Sequence, residues 1–507
     1  MQGLILAAFL LVCLETLFAV PELSWELAVP GHPGLGTALS LAAAVLAAFL
    51  VWRGRRPLRA RLSVIGERLA RIQRGRWLAG VLILGLVLRL AWALAFPIRQ
   101  TSDAGTYYAL GAMLARGEPY VTPLSGTRAE WPPGLPLLLA AAFRLAGIGH
   151  PALILLNLAL FAGLLFATYG LARRLVGEGA ARFATLLVSL WPNLIASAGL
   201  ATKESVLALA LTLSFLLYGA GQDSPVPARR WLARLGAGLA LGCAVLSQPA
   251  VILLPVAYGV ADLAGRVPLR RAVPSWVLLA AGLALVVAPW IVRNQRVLGR
   301  PVLSTNGGVV FYRGNNPTAS GGYVQGGIAV TAQSELESSD TGYRRGKEWV
   351  RENPGKFLRL SLRKQILFLG DDGVGIYETL KRGLGQEGAL YAVLKLGASA
   401  WWWGLWLLIV LGLVPLDRGK EARSVPSGLL LLLLAFLVLW AIDSVFESGS
   451  RHHVPLAGAV AVLAALSLRR DRGEIRPGPS PRRGSPEVPG REPADRGNFE
   501  EAVAVLR

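Results

Sequence analysis

Long apolar runs, rather than strict alternation of apolar and polar residues, set the pattern of this chain. They fall at about 3–20, 35–52, 77–96, 150–172, 180–198, 204–220, 232–247, 249–263, 274–292, 389–414, 428–444 and 453–468, with short polar turns between most of them. About 20 helical residues cross a bilayer core, and helices satisfy every backbone hydrogen bond within themselves. The pattern therefore predicts an all-α polytopic membrane protein of about 12 transmembrane helices. The apolar segment 132–147 is too short to cross comfortably, and it is expected to lie along the outer surface as a juxtamembrane helix with Pro132 and Pro133 at its start. Residues 293–388 form the one large polar region. Within it 341–369 reads as an amphipathic helix lying on the membrane surface and broken at Asn353-Pro354.

Five segments follow from this pattern: two N-terminal helices and a basic cytoplasmic loop over 1–76, a transmembrane core over 77–292, an external loop region over 293–388, closing helices over 389–468, and a tail over 469–507. The tail is rich in Pro, Gly, Arg and Glu and is expected to be disordered. Charge then fixes the orientation. Nine arginines lie between Arg53 and Arg76 against the single acid Glu67, and further basic pairs sit at Arg173-Arg174, Arg229-Arg230, Arg270-Arg271 and Arg469-Arg470. Basic residues in short loops mark the cytoplasmic side of an inner membrane, so both chain ends read as inside and residues 97–131 as outside.

The chain has 507 residues, of which 53% are hydrophobic and 16% charged, and its mean hydropathy is +0.49. The formal net charge of +21 would suit nucleic acid, but its placement in short loops and the tail excludes that reading. Cys13 and Cys243 lie inside apolar runs, so neither a disulfide nor a thiolate metal site is expected. His32, His150, His452 and His453 lack zinc-site spacing. The first apolar run carries Glu15 and no basic leader, and it reads as a retained helix.

Four polar clusters fall at external ends of spans. The first surrounds Asp103 with Tyr107, just beyond a span, where an acid at the bilayer edge is a functional candidate. Its plainer alternative is a helix cap by Ser102 or Asp103. The second is Lys203-Glu204. The third runs from Arg293 through Ser304-Thr305-Asn306-Gly307-Gly308 to Arg313-Gly314-Asn315-Asn316-Pro317. The fourth is Glu447 to His453, with Arg451 and His452 at the start of the last span. For Arg293 and Lys203 the plain alternative is snorkelling, for His452 an interfacial helix start, and for the Gly and Asn residues ordinary turns. Acids and cations sharing one face suit a lipid-linked phosphate, because Arg pairs with phosphate bidentately and an ionised acid activates a hydroxyl.

The acid after an early span, WPPGLPLLL, RRLVG, PNLIASAGLATKE, PWIVRNQRVLGRPVLSTNGGVVFYRGNNPTASGGY and SRHHVPL together resemble the bacterial GT-C glycosyltransferases. More narrowly they resemble the family-39 branch, akin to protein O-mannosyltransferases and the lipid A aminoarabinose transferase, from about Trp77 to Leu468. The resemblance implies a GT-C-like bundle and an inverting transfer of one sugar from a polyprenyl-phosphate donor to an acceptor hydroxyl on glycan, lipid or protein, at the periplasmic face of a bacterial inner membrane.

The resemblance also implies roles: Asp103 as catalytic carboxylate, Glu204 as second acid, Lys203, Arg293, Arg451 and His452 as phosphate contacts, and Tyr107, Asn306, Arg313 and Asn315 in the substrate loops. His452 stands where the family usually has Tyr. Some members carry paired acids in the first loop; here Asp103 is alone, with Glu118 and Glu130 further on, which leaves a metal's role open. No cofactor is expected and no metal is indicated. A flippase of lipid-linked sugars and a non-catalytic assembly partner are the alternatives; against the flippase stand the lack of an internal hydropathy repeat and of mid-span ionisable residues beyond Arg89 and Glu15.

Overall fold

Each of the twelve apolar runs is helical in the computed structural model, which describes residues 1–28, 33–323, 328, 334–414 and 425–469. The expected tail beyond Arg469 lies outside the described residues. Among the described residues eight helices are long and apolar enough to cross a membrane: Gln2–Ala28, Gly34–Arg71, Arg74–Ala95, His150–Leu175, Lys203–Gln222, Leu269–Leu298, Ala389–Leu413 and Ser427–Val445. The chain is a multi-pass membrane protein. The expected spans beyond these eight are shorter or more polar helices. Pro227–Ser247 carries Arg229, Arg230 and Arg234 near its start, and Pro249 interrupts the next run, which begins as a 3-10 turn before Leu254–Ala264. The last run is 3-10 at both ends, and its residues 453–468 are buried throughout.

The segment expected to lie along the surface is the helix Gly134–Ala146. Thirteen residues at 1.5 Å each reach about 20 Å, well short of the ~30 Å core. One face, Leu135, Leu139 and Phe143, is buried, while Leu137 and Leu145 are exposed as an apolar surface facing away. The basic stretch differs from its expected form. The loop placed at 53–76 is helical as far as Arg71, within a 39-residue helix Pro33–Arg71. Its Leu, Ala and Arg residues are strong helix formers, and Arg59 ties it to the bundle by donating to the carbonyls of Val414 (3.1 Å) and Gly412 (3.4 Å). The first helix is likewise part of the core. Phe9, Val12, Cys13 and Leu17 are fully buried, and Phe9 stacks on Trp406 at 5.8 Å.

The run 180–198 is broken, and the break shapes the functional end of the bundle. It consists of Glu178–Leu190, Pro192–Ala196 and a 3-10 turn Ser197–Gly199. Pro192 has no N–H to give the carbonyl of Val188, four residues back. Arg89 supplies the missing donors. Its guanidinium donates to Val188 O (3.1 Å), Ser189 O (3.0 Å) and Gly85 O (3.1 Å), with the Phe161 ring 3.6 Å away. This buried cation thus caps the C-terminus of a helix. Arg89→Met keeps the stem and removes the donors. It is expected to cost about 1–3 kcal/mol for each carbonyl left unpaired, read as a lower melting temperature in detergent. An unchanged melting temperature would show that the carbonyls find other donors.

Of the polar region 293–388, residues 293–298 continue the helix Leu269–Leu298, and the described residues beyond include the helices Gly307–Arg313, Glu335–Glu352 and Pro354–Leu369. The last two meet at the expected break, Asn353-Pro354. In the STNGG string the glycine is needed for close approach: a Cβ on Gly308 would lie 1.8 Å from the carbonyl oxygen of Ser339. Orientation is open to a direct check. In a chain with Cys13 and Cys243 replaced, cysteines at Leu124 (99% exposed) and Ser320 are expected to react with an impermeant thiol reagent added outside intact cells. Reaction only after the membrane is broken would invert the orientation drawn from the arginines.

Candidate active site

After the span Arg74–Ala95, Thr101 is extended and Ser102 takes φ +52, the left-handed region that costs a non-glycine residue roughly 1 kcal/mol. The helix Ser102–Ala115 then begins, with Asp103 in its first turn. No side-chain cap bond forms there, which sets aside the capping alternative for Ser102 and Asp103. Asp103 instead accepts from Arg451, Oδ2 to Nη1, at 2.6 Å.

Arg451 is held by its neighbours. Ser448 donates its N–H to Gly321 O (3.0 Å) and its hydroxyl to Lys364 O (2.8 Å). His452 pairs with Asp443 through Nδ1. His453 is buried against Trp402, with ring centroids 4.2 Å apart, and bonds Phe368 O and Asp372.

Glu204 and Lys203 open the helix Lys203–Asp223, directly after the broken run. Gln100 fixes this turn, accepting from the N–H of Ala201 (2.9 Å) and donating to Gly199 O (2.8 Å). Asn157 donates to Ala198 O and Leu200 O, both at 2.9 Å. Lys203 is turned to Gln248, donating at 2.5 Å.

A third wall comes from residues 370–383. Asp371 pairs with Lys395 (3.0 Å) and accepts from the N–H of Gly373 (2.9 Å). Asp372, fully buried, accepts from Trp191 Nε1 (2.5 Å) and Asn193 Nδ2 (2.8 Å) and contacts His453 Nε2 (3.1 Å). Burial pushes the Asp372 carboxyl upward, opposed first by His453. Asn193 in turn accepts from the N–H of Gly375 (2.8 Å), and a Cβ there would meet Ser197 Oγ at 2.7 Å. The wall ends in a π-helical turn, Tyr377–Gly383, which carries Glu378 paired with Arg382.

These walls line a single pocket that opens to solvent, formed by Asp103, Ala104, Ser197, Leu200, Thr202, Glu204, Val374, Gly375, Glu378, Arg451 and Val454. Two of its acids are pushed apart. Burial would raise Asp103, but Arg451, with help from Lys203 and Arg382, holds it below the usual carboxylate range. Burial raises Glu378 above that range, although Arg382 and Arg451 oppose it. The Arg451 guanidinium is held well above its ordinary value: burial lowers it, and Asp103 and Glu204 more than reverse that. Tyr107 lies beside the pocket, buried edge-on to Trp131 at 5.1 Å; burial and then the charges of Asp103 and Glu204 push its phenol upward.

The other sequence candidates stand outside the pocket lining. Arg293 packs over Trp290 and donates to Arg128 O (2.6 Å) and Tyr120 O (3.2 Å), holding the first loop in place. Arg313 pairs with Glu447 at 3.0 Å. Asn315 is buried, donating to Phe311 O and Val445 O (2.8 Å each) and accepting from Lys364 (3.0 Å). Asn306 precedes the helix Gly307–Arg313, its N–H on Ser304 Oγ at 3.1 Å. His452 faces Asp443. Sequence reasoning missed Glu378, Arg382 and Asp372; the signal available was the compact GDDG string and an acid–base pair at i, i+4. Among the described residues no group of three or more His, Cys, Asp or Glu is placed to hold a metal.

Bundle and pocket define a class: a polytopic helical membrane protein with an acid–cation pocket at one end. Within it, residues 130–292 match the family described as dolichyl-phosphate-mannose-protein mannosyltransferase, in agreement with the resemblance to GT-C glycosyltransferases carried by the sequence. That match covers less than half of the chain, including Lys203 and Glu204 but neither Asp103 nor Arg451.

Among solved structures, the Archaeoglobus fulgidus oligosaccharyltransferase in the apo form is 15% identical with a TM-score of 0.48, over 78% of this chain and 50% of that one. ArnT from Cupriavidus metallidurans bound to undecaprenyl phosphate is 16% identical with a TM-score of 0.39, over 78% of each chain. The archaeal oligosaccharyltransferase AglB, in complex with an inhibitory peptide and a dolichol-phosphate, is 16% identical with a TM-score of 0.46, over 77% of this chain and 50% of that one. The chain thus spans about half the length of the oligosaccharyltransferase it is similar to. A comparison with curated proteins finds no match.

Proposed function

We propose that the protein is a membrane glycosyltransferase that moves a single sugar from a polyprenyl-phosphate donor to an acceptor hydroxyl, with inversion, at the external face of a bacterial inner membrane. The observation that carries this reading is the Asp103–Arg451 pair in a pocket shared with Glu204. The family match over 130–292 supports the donor class. In the reaction the acceptor oxygen attacks the anomeric carbon, the acceptor proton passes to Asp103, and the sugar–phosphate C–O bond breaks with its electron pair on the lipid phosphate. Arg451 stabilises that charge as a preorganised cation. The same arginine holds the Asp103 pKa down. As Arg451 turns toward phosphate it releases Asp103, which becomes a stronger base when the donor has arrived.

The test uses the purified chain in proteoliposomes with radiolabelled polyprenyl-phosphate sugars and candidate glycan, lipid and peptide acceptors. Lipid-dependent transfer of label to an acceptor is expected. Movement of the lipid-linked sugar across the bilayer without transfer would make the protein a flippase. Neither activity, together with an intact phenotype in Asp103→Asn cells, would make it an assembly partner.

A further inference from the structure

Glu378 belongs to none of the roles above, yet it lines the same pocket as Asp103 and Arg451. Its only hydrogen-bond donor among the described residues is one nitrogen, Arg382 Nη1, shared between its two oxygens at 2.9 and 3.2 Å. A carboxylate offers about four acceptor sites, so most of this capacity is unused. Asp103 is in the same position, accepting from Arg451 through Oδ2. Glu204, also on the pocket wall, is 8% exposed.

The pocket is therefore rich in acceptors. Three carboxylates line it beside one guanidinium, and the part of a ligand that faces the carboxylates brings donors. The wall that carries Glu378 is built to stay put. Asp371 fastens it to Lys395, and Asp372 to Trp191, Asn193 and His453, while Thr379 donates to Ala196 O at 3.2 Å. This amounts to five side-chain anchors on a segment of fourteen residues, 370–383, at the edge of a membrane bundle. Such rigidity is what a hydroxyl-reading carboxylate needs.

We propose that Glu378 is a specificity-determining residue that accepts hydrogen bonds from a vicinal diol of a sugar bound opposite Asp103. This rests on the glycosyltransferase reading and names the part of the substrate that the pocket recognises. The diol belongs either to the sugar being transferred or to a glycan acceptor. Arg382 fixes the carboxylate in place, and the burial that raises Glu378 keeps its contacts out of competition with water.

The experiment titrates the purified full-length protein with methyl mannoside, glucoside, galactoside and arabinoside, and separately with undecaprenyl phosphate. Parent, Glu378→Gln and Glu378→Asp are compared, with parent-like gel filtration and melting temperature as the control for folding. At least one glycoside is expected to bind the parent, and to bind Glu378→Gln about 10- to 100-fold more weakly, equivalent to one or two charge-assisted hydrogen bonds. Its dideoxy congener, lacking both hydroxyls of the diol, is expected to bind both proteins alike, the monodeoxy congener to show a smaller difference than the parent sugar, and Glu378→Asp to recover part of the loss. Equal binding of every glycoside by parent and Glu378→Gln, or no binding by the parent, would overturn the proposal. Undecaprenyl phosphate is expected to bind parent and Glu378→Gln equally. If it binds neither, the donor reading fails while the glycoside arm still decides the role of Glu378. In the transfer assay, a KM increase confined to the lipid-linked sugar assigns the diol to the donor, and one confined to the acceptor assigns it to the acceptor.

Discussion

Asp103→Asn is expected to lower kcat about 10²–10⁴-fold, the usual contribution of a positioned general base, while binding of the lipid donor survives. Asn keeps the size of the side chain and an oxygen that can still accept from Arg451, so the 2.6 Å contact has a neutral successor. Since Asp103 makes no cap bond, the helix Ser102–Ala115 loses only the first-turn charge at its start, worth roughly 0.3–1 kcal/mol. The melting temperature should therefore stay near that of the parent. Asp103 keeps 37% of its side chain exposed, enough for an acceptor hydroxyl to reach it. Single-turnover measurements with labelled donor separate the chemical step from binding. Full activity in this variant would remove Asp103 from the chemistry and shift attention to Glu204.

Arg451→Ala carries the second large effect. It removes the cation proposed to meet the lipid phosphate, and one lost charge-assisted contact of about 1.5–3 kcal/mol corresponds to a roughly 10- to 100-fold weaker donor KM. It also changes the pH profile, in a direction fixed by the geometry. The working form of Asp103 is ionised, and Arg451 holds its pKa below the ordinary carboxylate value against burial. Without the guanidinium the carboxyl moves upward, so the acid limb of kcat/KM moves to higher pH. In the interval between the two pKa values the parent remains active and the variant does not. An acid limb at the same pH in both proteins would mean that Arg451 and Asp103 are not coupled in solution.

Much of the fold was legible because apolar runs longer than a bilayer's thickness leave the backbone one solution. The break at Pro249 was readable in advance, while the run 180–198, read as unbroken, is interrupted at Pro192. The extent of helix in Pro33–Arg71 was less legible. An arginine-rich stretch looks like a loop when charge is read for orientation, although Arg itself favours helix. In the site, Asp103 and Arg451 were found because each sits at the polar end of an apolar run. Their pairing spans almost 350 residues, and no local pattern could show it. The same distance hid Asp372, whose partners Trp191 and Asn193 lie about 180 residues away, and left Glu378 looking like one more acid in a polar region. Arg293, Arg313 and Asn315 illustrate the converse. Their strings stand out in the sequence, and the structure uses them to fasten loops, through carbonyls and Glu447, outside the pocket lining.

The most direct measurement is a structure of the Asp103→Asn protein with a polyprenyl-phosphate sugar bound. The account predicts the phosphate within hydrogen-bond distance of the Arg451 guanidinium and the anomeric carbon facing residue 103. A phosphate seated instead at Arg293 or Arg313, with the pocket between Asp103, Glu204 and Glu378 free of sugar, would contradict it.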